Sequence, residues 1–239
     1  MNLFVRTLTL CPLVAVLLPA AALAQACEAR AADRPPAVVE LYTSEGCSSC
    51  PPADRWLSSL KGRSDVLALA FHVNYWDRLG WPDRFATQQI TQRQHELAQT
   101  SGSSVVYTPQ VVHNGRDLRQ WSGSALNRLP ASKVELALKR EGNTVTARIG
   151  PSAARLAGYW AVLEDGHVSR VRAGENAGET LRHDHVVTAY KPVDAWSARE
   201  ASKTVTLDLP AATAAARRVV FVVTDADSQR PVQALALAC

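Results

Sequence analysis

The chain has 239 residues, of which 47% are hydrophobic and 20% are charged, and its formal net charge at pH 7 is +4. This length suits one large domain or two small ones. The lysines and arginines are scattered among acidic residues, without a basic stripe or interleaved aromatic residues, which argues against nucleic-acid binding.

Residues 1–26 are predicted to be a signal peptide. Arg6 is their only charged residue, and an apolar stretch from Leu8 to Ala24 ends in small residues, as a cleavage site requires. Cleavage removes Arg6, so the net charge falls from +4 to +3. We therefore expect a periplasmic or secreted protein with no membrane span. Lipidation of Cys27 is an alternative, although Ala24 stands where a lipobox usually has Leu.

The first predicted elements form a strand–helix–strand unit. Residues 38–43 are a hydrophobic run rich in β-branched side chains, which is typical of a buried strand. Pro51 suits the first position of a helix because it has no N–H to leave unpaired, and apolar residues then recur at helical spacing up to Gly62. Residues 66–73 are a second buried strand. A helix that joins two such strands makes a parallel crossover.

The next segment mixes loops with short elements. Residues 74–83 contain three aromatic side chains and are predicted to form a loop with its own packing, whereas residues 84–100 have helical character. The dipeptide Asn114-Gly115 is a hairpin signal. The remaining predictions here are a strand at 110–113, its antiparallel partner at 118–121 and a short helix at 124–129.

Beyond Pro130 the pattern changes to period-two alternation at regular spacing, which indicates a β-sandwich. We therefore divide the mature chain into domains at 35–130 and 131–239. The strands predicted in the second domain are 134–138, 145–149, 157–163, 167–171, 184–190, 203–209, 218–224 and 232–237.

Four of the five cysteines remain after signal cleavage. Cys47 and Cys50 are three residues apart at the predicted junction of a strand and a helix. There they can reach each other without bending the backbone, and helix N–H groups favour a thiolate. Cys27 and Cys239 lie at opposite ends of the mature chain, and we expect a second disulfide between them. Two unpaired terminal cysteines, or a lipidated Cys27, are the alternatives.

The Cys47–Cys50 pair is interpreted as a redox dithiol. The thiolate of Cys47 would attack a disulfide, and Cys50 would resolve the mixed disulfide. Asp54, His72 and Asp77 are candidates to take the proton that Cys50 must lose. We favour the simpler interpretation of two of them, in which Asp54 is a carboxylate that interacts with the helix dipole and His72 is a hydrogen-bonded structural histidine.

His183 and His185 are two residues apart, a spacing that places both on one face of a strand and can bind a metal ion. Without a third ligand nearby, we interpret them as polar surface residues.

Several blocks of the sequence resemble DUF1223, a family of exported bacterial proteins of unknown function. The blocks are residues 40–54, 72–77, 79–81, 91–94, 106–110, 174–178 and 183–187. The resemblance implies a thioredoxin-like fold with a trailing β domain, and it implies no known reaction. In a thioredoxin-type site a Thr-Pro faces the cysteines. Pro109 is therefore expected to be cis, and the backbone of Thr108 is expected to pair with an extended substrate.

The sequence thus predicts an α/β thioredoxin-like domain followed by an all-β sandwich-like C-terminal domain. The predicted function is thiol–disulfide exchange at Cys47 and Cys50, assisted by Thr108 and Pro109, on a protein or small-molecule disulfide or dithiol. No cofactor or metal is predicted, and the oligomeric state is left open. Two alternatives are a copper chaperone that uses the cysteines with His72, and a binding or structural domain with an inert disulfide.

Overall fold

The computed structural model describes residues 27–199, 201–211, 213 and 215–238. Within these residues the chain is mostly β, with fourteen strands, two α-helices and one short 3-10 helix. The helices are α1 (Pro51–Ser58) and α2 (Gln88–Thr100), and the 3-10 helix is Asp77–Leu79. The strands are β1 (Cys27–Arg30), β2 (Ala37–Thr43), β3 (Val66–His72), β4 (Gln110–His113), β5 (Arg116–Asp117), β6 (Leu136–Glu141), β7 (Thr144–Ile149), β8 (Ser152–Glu164), β9 (His167–Arg170), β10 (Thr180–His183), β11 (Val186–Ala198), β12 (Lys203–Asp208), β13 (Arg217–Asp225) and β14 (Pro231–Ala238).

The predicted strand–helix–strand unit is confirmed. Strands β2 and β3 are buried along their whole length and pair in parallel, with Ala37 opposite Val66 and Thr43 opposite His72. Helix α1 joins them and starts with prolines, which leave no backbone N–H unpaired in its first positions. Helix α2 begins after Thr87, whose side-chain oxygen accepts a hydrogen bond from the amide of Ile90.

One eight-stranded sheet runs through the molecule, in the order β14-β13-β8-β11-β3-β2-β4-β5. Strand β11 pairs with β3 in parallel, where Val186 lies opposite Ala70, and with β8 in antiparallel orientation. A second, four-stranded sheet has the order β1-β6-β7-β12, and β9 and β10 form a separate two-stranded ribbon.

The hydrophobic core has three parts. Helix α1 covers one face of β2 and β3 through Ala53 and Leu57, whereas α2 covers a second cluster that includes Phe71 and Tyr159. The third cluster lies between the four-stranded sheet and the C-terminal strands of the large sheet, around Trp160. Each helix therefore packs against the large sheet.

The predicted fold class is wrong. The chain is mostly β, rather than an α/β thioredoxin-like domain followed by an all-β sandwich-like domain. The reason is that β3 does not end a sheet of its own. Its free edge pairs with β11, so strands from 35–130 and from 131–239 belong to one sheet. The two domain bounds themselves stay predictions.

Two short elements are also wrong. Residues 118–121 form no strand, because the antiparallel partner that follows β4 is β5, which covers only Arg116–Asp117. Residues 124–129 form no helix. After β5 the amide of Leu118 still donates to the carbonyl of Val111. The chain then leaves the sheet, and Trp121 packs on Trp56 of α1 with ring centroids 5.2 Å apart.

A buried ion pair connects the helix α2 to the large sheet. Arg93 Nη2 lies 2.6 Å from Glu40 Oε1, and both side chains are almost fully buried. The hydroxyls of Tyr159 and Tyr42 donate to the same carboxylate, and the Arg93 guanidinium lies 4.2 Å from the ring centroid of Tyr159. The carboxylate and the guanidinium thus both have partners, as buried charges require.

Replacing Arg93 alone should destabilise the fold strongly. In Arg93→Met the Glu40 carboxylate stays buried without its cation, and we expect the free energy of unfolding to fall by about 3–5 kcal/mol. The double variant Glu40→Gln/Arg93→Met removes both charges and keeps an oxygen acceptor for the tyrosines, so its loss should be smaller than the sum of the two single losses. Urea denaturation of the four proteins measures this coupling. Additive losses would contradict it.

Candidate functional site

The predicted pair Cys47–Cys50 forms a disulfide. The two Cα atoms are 5.4 Å apart, and both cysteines are fully buried. Cys50 is the N-cap residue of α1, and its carbonyl accepts hydrogen bonds from the amides of Ala53 and Asp54. The disulfide therefore lies between the end of β2 and the N-terminal end of a helix, where the helix dipole favours negative charge.

The peptide bond between Thr108 and Pro109 is cis, as predicted. Gln110, the next residue, lies opposite Tyr42 near the C-terminal end of β2. The Thr108-Pro109 dipeptide therefore lies at the same end of the strands as the cysteine turn, which follows β2. Trp76 links the two segments, because its indole N–H donates to Thr108 Oγ1 at 2.8 Å. The roles of Thr108 and Pro109 as catalytic residues stay predictions.

Gly46 allows Trp76 to approach the cysteine turn. A Cβ atom built on Gly46 would lie 3.0 Å from the Cβ atom of Trp76, closer than side chains normally pack. A larger residue here would push the indole, and with it the hydrogen bond to Thr108, away from the turn.

Residues 171–179, which connect β9 to β10, cover the disulfide, and we call them the cover segment. The side-chain amide of Asn176 donates to the carbonyls of Glu45 and Cys47, at 2.9 and 3.0 Å. The carboxylate of Glu175 accepts hydrogen bonds from the amide and the hydroxyl of Ser48, at 3.0 and 2.7 Å, and these bonds lower the pKa of Glu175. Gly174 packs on Trp81. These contacts leave Cys47 without solvent exposure.

Five ionisable side chains are buried together next to the disulfide. They come from four parts of the chain and are Glu45, Asp54, His72, Asp83 and His183. All five are less than 10% exposed. Buried charges are costly unless they are paired, so the contacts within this cluster decide its electrostatics.

His72 and Asp83 form a buried ion pair, with Nδ1 and Oδ2 2.7 Å apart. Burial disfavours the imidazolium, but the Asp83 carboxylate outweighs burial and raises the pKa of His72. Burial likewise opposes ionisation of Asp83, but the contact with His72 and backbone amides lower its pKa. One of these amides belongs to Glu45, which ties the pair to the cysteine turn.

Asp54 lies one helical turn after Cys50, on the same side of α1. Its Oδ2 accepts a hydrogen bond from the hydroxyl of Thr43 at 3.2 Å. Burial raises the pKa of Asp54, although His183 and His72 partly oppose this effect. Asp54 is thus a carboxyl group whose protonation responds to charges in its surroundings.

Asp77, the third predicted proton acceptor, does not join the cluster. It begins the 3-10 helix, and its side chain accepts a hydrogen bond from the amide of Asp83. Glu45, two residues before Cys47, is fully buried and accepts a hydrogen bond from the indole of Trp81 at 2.7 Å. Burial opposes its ionisation, but His183 and the Trp81 indole lower the pKa of Glu45.

The interpretation of His183 and His185 as polar surface residues is wrong, because they are only 2% and 3% exposed. His183 ends β10, whereas His185 follows in the turn before β11 and contacts Arg218. His183 faces Glu45 and Asp54 and belongs to the buried cluster. The sequence signals at His183 were the spacing of the two histidines and the block 183–187 that resembles the family, and neither of them predicts its burial beside the cysteine turn.

The described residues contain no group of three or more His, Cys, Asp or Glu side chains arranged to hold a metal ion. His72, the ligand suggested for copper, instead pairs with Asp83. The copper-chaperone alternative has no ligand set in this part of the chain.

The predicted Cys27–Cys239 disulfide stays a prediction, because Cys239 lies outside the described residues. Cys27 begins β1, and its Sγ lies 3.9 Å from the carbonyl oxygen of Ala238. The predicted signal peptide, residues 1–26, also lies outside the described residues. Among the residues that are described, no helix is long and apolar enough to cross a membrane.

The fold and the site define a mostly β protein with a buried disulfide at the start of a helix and an ionisable cluster beside it. The chain belongs to the family of proteins of unknown function DUF1223, whose sequence pattern matches residues 38–224. The predicted family is therefore confirmed. Comparison with curated proteins gives no match.

Two solved structures are similar to the chain. One is a crystal structure of a protein from Agrobacterium tumefaciens, with a TM-score of 0.62, 27% identity, and coverage of 84% of this chain and 93% of that one. The other is HBP35 of Porphyromonas gingivalis, with a TM-score of 0.61, 17% identity, and coverage of 85% of this chain and 74% of that one. The second likeness concerns the fold alone.

Opening of the cover segment should limit the reduction of the disulfide. Asn176→Ala removes two hydrogen bonds worth about 1 kcal/mol each, so the open form should become about 30-fold more populated. We expect the Cys47–Cys50 bond to be reduced by dithiothreitol faster by a similar factor, as measured by timed alkylation and mass spectrometry. Glu179→Ala, in the same segment but without a contact to the cysteine turn, serves as the control. Equal rates in all three proteins would show that the cover segment does not control access.

Proposed function

We propose that this chain is a thiol–disulfide oxidoreductase that exchanges electrons between its Cys47–Cys50 pair and a disulfide or dithiol of a protein or small molecule. The observation that carries the proposal is the cluster of five buried ionisable side chains next to the disulfide. An inert disulfide needs no such groups, and burying them costs free energy. Buried groups with displaced pKa values concentrate at functional sites.

Asp54 is the group best placed to handle the proton of Cys50. The two residues are one helical turn apart, and Asp54 is buried with its pKa raised by that burial. A carboxylate that holds a proton more tightly than usual is a better acceptor for a thiol proton. Cys47, nearer the N-terminus, would make the mixed disulfide with the partner, and Cys50 would resolve it.

Exchange requires the site to open, because both cysteines are fully buried, and we expect the cover segment, which is bonded to the cysteine turn, to be the part that moves. Once uncovered, Cys47 would face the edge of the sheet near Thr108 and Pro109. An extended segment of the partner could pair there with the backbone of Thr108.

The proposed place of action is the periplasm or the exterior of the cell. The support is the predicted signal peptide at residues 1–26 together with an intact disulfide, which persists in oxidising compartments.

The reduction potential of Cys47–Cys50 tests the proposal against an inert disulfide. It is measured by glutathione equilibration with alkylation trapping, with Cys47→Ser as the control. A potential near or above about −200 mV is expected for a readily exchanged bond. A potential below about −300 mV, with cysteines that stay unreactive after reduction, would sink the proposal and favour a structural disulfide.

Asp54→Asn should separate stability from activity. Since burial raises the pKa of Asp54, ionisation costs stability as the pH rises above the usual range of a carboxyl group. The variant removes this cost, so its melting temperature should match or exceed that of the wild type at pH 7, with a smaller difference at pH 3. Its resolution of mixed disulfides should slow by about a hundredfold, the usual scale of a lost general base. A variant that is less stable at pH 7 and equally fast would contradict both expectations.

A further inference from the structure

His183 is a buried imidazole without a hydrogen bond. It is 2% exposed, and neither ring nitrogen has a hydrogen-bond partner among the described residues. Its ring packs edge-on against His72, with centroids 5.1 Å apart. Buried polar atoms in native proteins are nearly always hydrogen-bonded, because leaving them unpaired costs free energy. Packing alone therefore does not account for a histidine at this position.

The two ring nitrogens face the two carboxylates that flank the disulfide in the sequence. Nε2 lies 3.6 Å from Glu45 Oε1, and Nδ1 lies 4.0 Å from Asp54 Oδ2. Both distances are slightly longer than a hydrogen bond, so a small movement of the ring closes either one. His183 thus connects the carboxylate before Cys47 with the carboxylate after Cys50.

A cavity of about 140 Å³ between α1 and β10 reaches the same two side chains. Asp54 and His183 both line it, together with Arg55 and Arg182. The cavity has room for several water molecules. A proton on Asp54 can therefore pass to water here.

We propose that His183 is a positioning residue of the dithiol site, which keeps Asp54 ionised as the base for Cys50. The inference rests on the proposed function and adds to it a residue from the C-terminal half of the chain.

In the resolving step the Cys50 thiol gives its proton to Asp54. The Cys50 thiolate then forms a bond to Cys47 Sγ, the bond between Cys47 and the partner's sulfur breaks, and that sulfur leaves as a thiolate. Over the whole reaction, two electrons pass from the two cysteines to the partner's disulfide. The proton then passes from Asp54 to water in the cavity that Asp54 lines.

The groups around Asp54 determine the direction of the expected effect. Thr43 and His72 favour its carboxylate from β2 and β3, and His183 does so from β10, whereas burial and the Asp83 carboxylate oppose ionisation. Removal of His183 takes away one of the favourable contributions. The pKa of Asp54 should then rise further, which leaves less of the base at neutral pH.

The remaining surroundings of His183 also carry charge. Glu45 faces it from the cysteine turn and His72 from β3, and Arg55 and Arg182 line the cavity beside it. All of these groups remain in the variants described below.

The test compares His183→Asn with His185→Asn. His185 is a second buried histidine two residues away, and its contacts are with Arg218 and Asp165 rather than with Asp54 or Glu45. Reduced protein is mixed with oxidised glutathione, and resolution of the mixed disulfide is followed by acid quench and mass spectrometry between about pH 5 and 9. The pKa of Asp54 is followed by carboxyl ¹³C NMR in the oxidised protein.

His183→Asn should resolve the mixed disulfide about tenfold more slowly at pH 7, recover at higher pH, and show a raised pKa of Asp54. His183→Gln keeps a polar group but has no basic nitrogen, so it should behave in the same way. His185→Asn should match the wild type.

An unchanged pH profile and an unchanged Asp54 pKa in both His183 variants would overturn the inference. A wild-type protein that forms no mixed disulfide would instead overturn the proposed function. The NMR titration of Asp54 in the oxidised protein would then test alone whether His183 affects the pKa of Asp54.

Discussion

The buried carboxylate of Glu40 holds the two halves of this protein together. It accepts hydrogen bonds from Arg93 of α2, Tyr159 of β8 and Tyr42 of its own strand, and the Tyr190 ring of β11 lies 5.6 Å from the same guanidinium. Strands that are more than one hundred residues apart in the sequence thus share one charged centre. A buried charge pair is a poor source of stability but tolerates few other arrangements. It fixes which strands of the large sheet lie over α2.

The same constraint positions the candidate site. Because β11 is fixed beside β3, the preceding strand β10 lies near the cysteine turn, where His183 faces Glu45 and the cover segment contacts Cys47. The disulfide and Asp54 come from the first half of the chain, whereas Asn176 and His183 come from the second. Neither half contains a complete site.

The sequence predicted those parts of the site that depend on neighbours along the chain. The disulfide and the elements β2, α1 and β3 follow from spacing, turn chemistry and hydrophobic runs, whereas the cis bond before Pro109 was expected only from the resemblance to thioredoxin-type sites. The pairing of β11 with β3 has no local signal, because alternation shows that a segment is a strand and not which strand lies beside it. The predictions of the fold class and of the surroundings of His183 were wrong because the sequence does not show which strands pair.

Asp54 and His72 were predicted only in part. Both were recognised as candidates from their positions, yet two interpretations of each stayed open. The structure shows that His72 is paired with Asp83, whereas the Asp54 carboxylate accepts a hydrogen bond from the Thr43 hydroxyl and has an imidazole 4.0 Å away. Pairing and burial, which distinguish a structural carboxylate from a reactive one, depend on contacts that the sequence does not contain.

The distance along the chain between the cysteines and their cover has a consequence for biogenesis. Cys47 and Asn176 are 129 residues apart, more than half of the chain, and the Asn176 side chain donates a hydrogen bond to the Cys47 carbonyl. During synthesis, which proceeds from the N-terminus, both thiols precede the segment that closes over them. Any incompletely made or partly folded chain therefore presents them to the surrounding thiols and oxidants. Until residue 176 has been made, the hydrogen bonds that join Asn176 to the cysteine turn cannot form, so the first half of the chain cannot close its own site.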